Sequence, residues 1–334
     1  MHVLAGDVGG TKVLLQFARV EKSGSQVIGE RRYECSAFSG LSPIIHEFLK
    51  SLHNVPIPDA ACFGIAGPIA GSESGQMAKV TNLPWKVGSE VLAREHKIPK
   101  VRLINDFQAV GYGIETLTGK DLVTLQEGSA QPRAPRAVIG AGTGLGQGIL
   151  VWQQDHYEAI ATEGGHTDFA PTDGLQVGLW HYLLQQFEHI SYERLVSGPG
   201  LVLIYSYLRE QEAKIAPVHA DPRNAADPAA AISELALSGT DALAVQALDL
   251  FICIYGAQAG NLALSAGATG GVYVAGGIAP KIIKKLTDGT FMRSFLNKGR
   301  MSALLAAVPV QAVMNPSVGL AGAMVVARRL AQPR

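Results

Sequence analysis

The chain is short of the features that would tie it to nucleic acid, to a membrane or to an oxidising compartment. Its 28 Lys and Arg are offset by 28 Asp and Glu, and charged residues are only 17% of 334. No basic excess exists to drive binding to a phosphate backbone or an anionic lipid surface. Cys35, Cys62 and Cys253 are few, odd in number and far apart. That argues against a disulfide framework and a zinc site, and it predicts a reducing compartment. The N-terminus has no basic segment and Asp7 interrupts its apolar run, so no signal peptide is expected. The stretch "ALLAAVPVQAV" is broken by Pro309 and Gln311 and is too short to span a bilayer. Lys284-Lys285 and Arg328-Arg329 read as solvated helix faces. The expectation is a cytoplasmic protein with no nucleic-acid or membrane partner, whose 47% hydrophobic residues can fill a large core in roughly two domains.

What is abundant is glycine, 38 residues, clustered in "GDVGG", "GIAGPIAG", "GAGTGLGQG", "EGGH", "SGPG" and "AGGIA". Clusters that follow apolar strands suggest loops shaped to approach a ligand. In the first, Val3-Leu4-Ala5 and Val13-Leu14-Leu15 read as strands around Asp7, Gly9, Gly10 and Thr11. A plain β-turn would explain the glycines through positive φ. It leaves unexplained a carboxylate at the end of an apolar strand. A turn of bare backbone N–H groups is also an anion cradle.

Strands are expected over 2–7, 12–20 and about 26–35, a helix over about 41–53, a buried strand over 60–65 and a helix over 88–97. The strand "VRLIN" then runs into Asp106. This order indicates the mixed sheet of an α/β domain. At Arg136 the scheme restarts: "RAVIGAGTGLGQGILVW" is again strand, glycine turn, strand, and reads as an internal structural repeat. Helical segments dominate from about 175 to 265. They include a long core helix over about 241–265 with Thr240 as its plausible N-cap. "GGVYVAGGIAP" is a buried strand opening onto Gly276-Gly277.

Two strand–turn–strand units can grip a polyphosphate from both sides. Asp7 would then act through a divalent cation, since a bare carboxylate repels phosphate, and Thr11 would donate its hydroxyl to a phosphate oxygen. The dinucleotide fingerprint fails, because Leu145 stands three residues after Gly142 and the turn runs into a strand. No G-x-x-x-x-G-K-[ST] occurs, which excludes a P-loop.

"GDVGGT", "INDFQAV", "GAGTGLG", "EGGHTDFAP", "ERLVSGPGL" and "AGGIAP", in this order and spacing, resemble the bacterial glucokinases of the hexokinase/actin-like ATPase superfamily. The resemblance covers essentially the whole chain. It implies two actin-like, ribonuclease H-like α/β domains with mixed sheets flanking a catalytic cleft. The small domain would be 1–116, completed by a C-terminal helix over 316–334, and the large one 117–315. The implied reaction moves the γ-phosphoryl group of ATP to the 6-hydroxyl of glucose with Mg2+, in a homodimer. By the same resemblance Gly6, Asp7, Val8, Gly9, Gly10 and Thr11 form the first phosphate loop. Gly140 to Gly146, with Gly142, Thr143 and Gly144 at the centre, form the second. Gly276 and Gly277 form the adenosine-side turn, and Asp7 bears on Mg2+ indirectly. Asn105 and Asp106 are the catalytic pair, with Asp106 the base, and Glu163, His166 and Glu193 bind sugar hydroxyls. The related repressor/kinase (ROK) family carries a zinc-binding cysteine cluster after its E-x-G-H segment, and its repressors carry a helix-turn-helix ahead of the first strand. Neither fits this sequence.

The chemistry of the residues agrees with those roles. Sugar hydroxyls each offer a donor and acceptors, so a binder wants carboxylates, amides and imidazole. In a loose phosphoryl-transfer transition state a positioned carboxylate suffices as base without a raised pKa. Blander readings stand beside each. Asn105-Asp106 fits a strand-end turn or helix N-cap, His166 a satisfied core histidine, and Glu193 an exposed helix residue paired with Arg194 or a nearby base. Rival functions are a kinase for another hexose (mannose, fructose or glucosamine) and an actin- or chaperone-like ATPase, which has no evident use for the sugar-type set.

Overall fold

The N-terminal apolar run forms β1 (His2–Val8), hairpinned to β2 (Lys12–Glu21), which pairs in turn with β3 (Gly24–Glu34). The computed structural model describes residues 1–21, 24–72, 75–211 and 221–332. Helix α1 (Leu41–Ser51) turns Leu41, Ile44, Ile45 and Phe48 inward at helical spacing. Strand β4 (Ala60–Ile65) follows, buried at every residue, as expected of a parallel strand covered on both faces. It runs parallel to β1, with Val3 opposite Ala60 and Val8 opposite Ile65. A small antiparallel sheet of β5 (Ile69–Ser72), β6 (Gly75–Lys79) and β7 (Lys86–Gly88) leads to α2 (Ser89–His96). Then β8 (Val101–Asn105) pairs parallel with β4 and passes directly into α3 (Asp106–Gly113). The main sheet has the order β3-β2-β1-β4-β8.

The chain continues through β9 (Leu122–Gln126), β10 (Arg136–Ala141), β11 (Leu145–Gln153) and β12 (His156–Thr162). Helices α4 (Gly174–Leu184), α5 (Gly198–Gln211), α6 (Pro228–Ser238) and α7 (Ala242–Ala266) follow. They fill the expected helical region, of which 212–220 lies outside the described residues. Strand β13 (Val272–Ala275), short helices α8 (Ile283–Leu286), α9 (Thr290–Leu296) and α10 (Ser302–Ala306), β14 (Val310–Val313) and α11 (Val318–Ala331) complete the chain.

This second sheet has the order β12-β11-β10-β13-β14-β9. Its run β11-β10-β13-β14 repeats β2-β1-β4-β8 of the N-terminal sheet: an antiparallel hairpin, then two parallel strands. The repeat read from the glycine turns is therefore a repeat of topology.

By contacts the chain falls into two compact units. One comprises Met1–Thr118, Tyr157–Ala161 and Asn315–Arg334, and the other Gly119–His156 and Thr162–Met314. In the first, Leu4, Leu15, Phe17, Phe48 and Phe63 lie in one core, and α11 packs on β1, β4 and α3. In the second, α7 is the axis of a larger core that includes Phe251, Tyr255, Phe291 and Phe295. By length and composition α7 could cross a membrane, but 67% of its most apolar stretch is buried inside the protein. It is a core helix.

Three local expectations are corrected. The N-cap of α7 is Asp241, whose carboxylate accepts from the Ala244 amide at 2.9 Å. Thr240 belongs to the end of α6, where its amide reaches the Leu235 carbonyl. Lys285 is no solvated face, since it pairs with Asp249 and with Asp288. Arg329 is likewise half-buried, bonded to Glu115 at 3.2 Å and to the Tyr157 carbonyl.

Candidate active site

Pairing of β1 with β2 runs to Val8 opposite Val13, and Gly9 to Thr11 connect the two strands. The Gly9 amide donates to the Lys12 carbonyl at 2.9 Å. Neither Gly9 nor Gly10 has positive φ, so the turn does not need glycine for handedness. Gly10 is needed for closeness, because a Cβ there would stand 2.8 Å from the Thr81 carbonyl oxygen. Thr11 is exposed. From the short 3-10 turn after β3, Cys35 braces this loop: its amide donates to the Thr11 carbonyl at 2.8 Å and its thiol reaches the Gly9 carbonyl at 3.6 Å.

Asp7 lies at the end of β1 and is half-buried. Burial pushes its pKa from 3.8 to about 6. Among the described residues no cation or donor pairs with it. The first turn of α11 runs beside it, so close that a Cβ on Gly319 would be 3.4 Å from Asp7 Oδ2.

Asn105 ends β8 and caps α3, a helix with no separate sequence expectation. Its Oδ1 accepts from the amides of Phe107 at 2.9 Å and Gln108 at 3.3 Å. Its Nδ2 donates to the Gly67 carbonyl at 3.3 Å. Asp106 Oδ1 accepts from the Phe107 amide at 2.8 Å. The capping role read as the bland alternative is thus real, and it fixes the pair at a helix N-terminus. Further along α3, Gln108 Nε2 donates to the Ala159 carbonyl at 2.7 Å and the Tyr112 hydroxyl to Glu158 Oε2 at 2.5 Å. The Arg329 guanidinium stands 5.3 Å from the Tyr112 ring. These brackets hold the helix that starts at Asp106, and sequence reasoning missed them.

In the second turn, β10 and β11 pair up to Ala141 opposite Leu145. The Gly142 amide donates to the Gly144 carbonyl, and the Gly198 amide at the start of α5 donates to the Gly142 carbonyl, both at 2.8 Å. Glu193 lies in a turn rather than on a helix. Its Oε2 accepts from the Leu145 amide at 2.9 Å, and its Oε1 is 3.8 Å from His166 Nδ1. The expected alternative for Glu193, an exposed helix residue, is therefore corrected. Gly144 leaves room for this approach: a Cβ there would come 2.5 Å from Glu193 Oε2, and the carboxylate would have to shift. The His166 side chain is 58% exposed, so it is not a satisfied core histidine. The His166 amide donates to the Glu163 carbonyl at 3.0 Å and the Glu193 amide to Gly165 at 2.9 Å. Glu163, His166, Glu193 and the Gly142–Gly144 turn thus form one connected group.

Strand β13 runs parallel to β10 and opens onto Gly276, whose φ of +84° and position 2.5 Å (Cβ to Ala141 carbonyl) admit only glycine. Beneath both turns the fully buried Tyr255 of α7 accepts from the Ala141 amide at 3.1 Å. Its hydroxyl also stands 3.4 and 3.5 Å from the Ile139 and Ala275 carbonyls. Sequence reasoning took α7 as core alone. The available signal was a tyrosine on an otherwise aliphatic buried face, whose hydroxyl must find a partner. A cavity of ≈ 970 Å³ adjoins the turns, with Gly142, Thr143, Gly277, Arg194, Ser233 and Lys281 among its walls.

Residues 4–330 match the family model described as Glucokinase. The chain is 46% identical over 343 aligned residues to the glucokinase of Nostoc sp. strain PCC 7120, covering 98% of this chain and 99% of that one. Among solved structures it is similar to a glucokinase from an Antarctic psychrotroph, with TM-score 0.85, 28% identity and coverage of 98% and 99%. The fold is also that of the Balamuthia mandrillaris glucokinase in complex with glucose, with TM-score 0.78, 21% identity and coverage of 98% and 93%.

Proposed function

We infer the work of the individual side chains from one premise: this chain belongs to the glucokinase family. It is a glucose kinase that uses ATP. The observation that carries the assignment of roles is the Glu193–Leu145 hydrogen bond. It joins hydroxyl-pairing side chains to a glycine turn suited to phosphate.

In our reading Asp106 accepts the proton of the sugar 6-hydroxyl as that oxygen attacks the γ-phosphorus, and the bond from that phosphorus to the β,γ-bridging oxygen breaks to release ADP. The cap made by Asn105 holds the carboxylate in place, and Asn105, Glu163, His166 and Glu193 pair with the other hydroxyls. Gly6, Val8, Gly9, Gly10 and Thr11, and likewise Gly142, Thr143 and Gly144, receive phosphates through backbone N–H groups. The adenosine enters the cavity beside Gly276 and Gly277. A half-buried carboxylate with no counter-charge is costly, and Asp7 fits a cation held directly or through water. Mg2+ there would neutralise phosphate charge. Asp7 itself supplies only the anionic end of that contact.

We place the enzyme in the cytoplasm. We also propose a homodimer, supported by the exposed Leu175, Val177 and Leu184 of α4. Sedimentation at micromolar concentration tests it, and a monomer there would end that proposal. The catalytic reading is tested by following ADP release with glucose, mannose, fructose, glucosamine or no sugar. Release that depends on glucose and is fastest with it is expected. Preference for another hexose would reassign the substrate, and sugar-independent hydrolysis would return the chain to the mechanical ATPases.

A further inference from the structure

Gln147 sits on β11, two residues beyond Leu145, and is only 2% exposed. Its Nε2 is buried without a hydrogen-bond partner. A primary amide carries two N–H donors. Folded proteins seldom leave such a buried donor unpaired, because it has lost water and gained nothing.

The same amide lies directly under the Glu163–His166 turn. A Cβ on Gly164 would overlap Gln147 Oε1. The backbone is tied to that turn as well: Thr162 Oγ1 donates to the Gln147 carbonyl at 3.2 Å and accepts from the Gly164 amide at 3.2 Å. An unsatisfied donor is therefore lodged one residue from Glu163.

We propose that Gln147 is a positioning residue for the sugar. Its amide is paired only when the sugar is bound and the Glu163 turn settles onto it, so that the recovered hydrogen bond forms part of the sugar affinity. This rests on the assignment of Glu163 and His166 to the sugar. The physical argument is one of differential interaction. A group left unpaired in the sugar-free protein and paired in the complex raises the first state relative to the second. The residue thereby lowers stability and raises affinity, whereas a side chain that merely fills space raises stability and leaves affinity alone.

Gln147→Met keeps the length of the side chain and removes its polar end, and Gln147→Leu serves should the methionine variant not fold. The sugar-free variant is expected to melt at the same temperature as the parent or higher. Its glucose Kd and KM should rise about 5- to 100-fold while ATP Kd stays within about 2-fold. Calorimetric titration of each ligand and a melting curve read all three. A lower melting temperature with equal losses of both ligands would make Gln147 purely structural and overturn the proposal. Unchanged glucose affinity would overturn it too. Glu163→Gln, titrated in parallel, separates the two levels. If it weakens glucose binding and Gln147→Met does not, the inference alone falls. If Glu163→Gln leaves glucose binding unchanged, the assignment of the turn falls and takes the inference with it.

Discussion

The Glu193 carboxylate accepts a hydrogen bond from the Leu145 amide at 2.9 Å, and a Cβ on the adjoining Gly144 would stand 2.5 Å from the same oxygen. A side chain proposed to hold sugar is thus packed onto a turn proposed to hold phosphate. Glycine at 144 serves that packing, a reason different from the bare N–H cradle that the sequence alone suggests.

Gly144→Ala should therefore raise KM for glucose as well as for ATP. Displacing a binding group by a fraction of an ångström to one ångström is worth about 10- to 100-fold. Initial rates with both substrates varied will show it. A rise confined to ATP would mean that the glycine serves the phosphates alone.

Asp106→Asn keeps the shape and the helix-end contact with Phe107 but cannot take a proton. Turnover should drop by about 10²- to 10⁴-fold, while glucose affinity changes little because an amide still pairs with a hydroxyl. Near-normal turnover in the folded variant would leave Asp106 as a helix-end residue and nothing more.

Asp7 makes a prediction about pH. Its pKa in the folded chain, about 6, lies above the ordinary 3.8. Between those values the folded chain keeps a proton that the unfolded chain has released. The contribution of Asp7 is therefore most favourable below pH 3.8 and is lost as pH rises through about 6. The total is up to roughly 3 kcal/mol. Asp7→Asn removes this slope, so the variant should be more stable than the parent at pH 7 and little different near pH 4, while its Mg-dependent ATP binding falls. Urea midpoints of both proteins across that range, compared by difference, give the answer. A variant less stable at pH 7 would contradict it.

Tyr255→Phe deletes one hydroxyl and leaves the buried Ala141 amide without its acceptor. The cost should be about 1–3 kcal/mol in unfolding free energy. ATP should bind more weakly than the stability loss alone explains, because Ala141 leads into the Gly142–Gly144 turn. Denaturant titration together with ATP titration of the folded fraction checks both. Full ATP affinity in the variant would limit Tyr255 to the core.

Much of the frame was legible because it is written in local pattern. Alternating and continuous apolar runs located β1, β2, β4, β8, β10 and β13, and the two glycine turns exposed the repeat. What local pattern does not carry is contact between residues distant in sequence. Glu193 reads as a surface residue until the fold brings it to Leu145, 48 positions away. Tyr255 looks like core until its hydroxyl meets Ala141, and Gln108 and Tyr112 look unremarkable until Ala159 and Glu158 arrive opposite them. Gln147 was invisible for a related reason: an orphaned donor is defined by everything that surrounds it. The glycines were found for partly the wrong cause, since closeness rather than handedness dictates Gly10.

Helix α11 has a consequence for biogenesis. It lays Val318, Leu320, Ala323, Val326 and Ala327 inward and packs on β1, β4 and α3, all elements made long before it. During synthesis the first 118 residues emerge with that face of their sheet bare. The other unit ends at Met314, so its chain is complete before α11 is made. Assembly thus runs against the direction of translation: the half that is made first is finished last. Until α11 docks, it is the half that offers an apolar surface to chaperones or to neighbouring nascent chains.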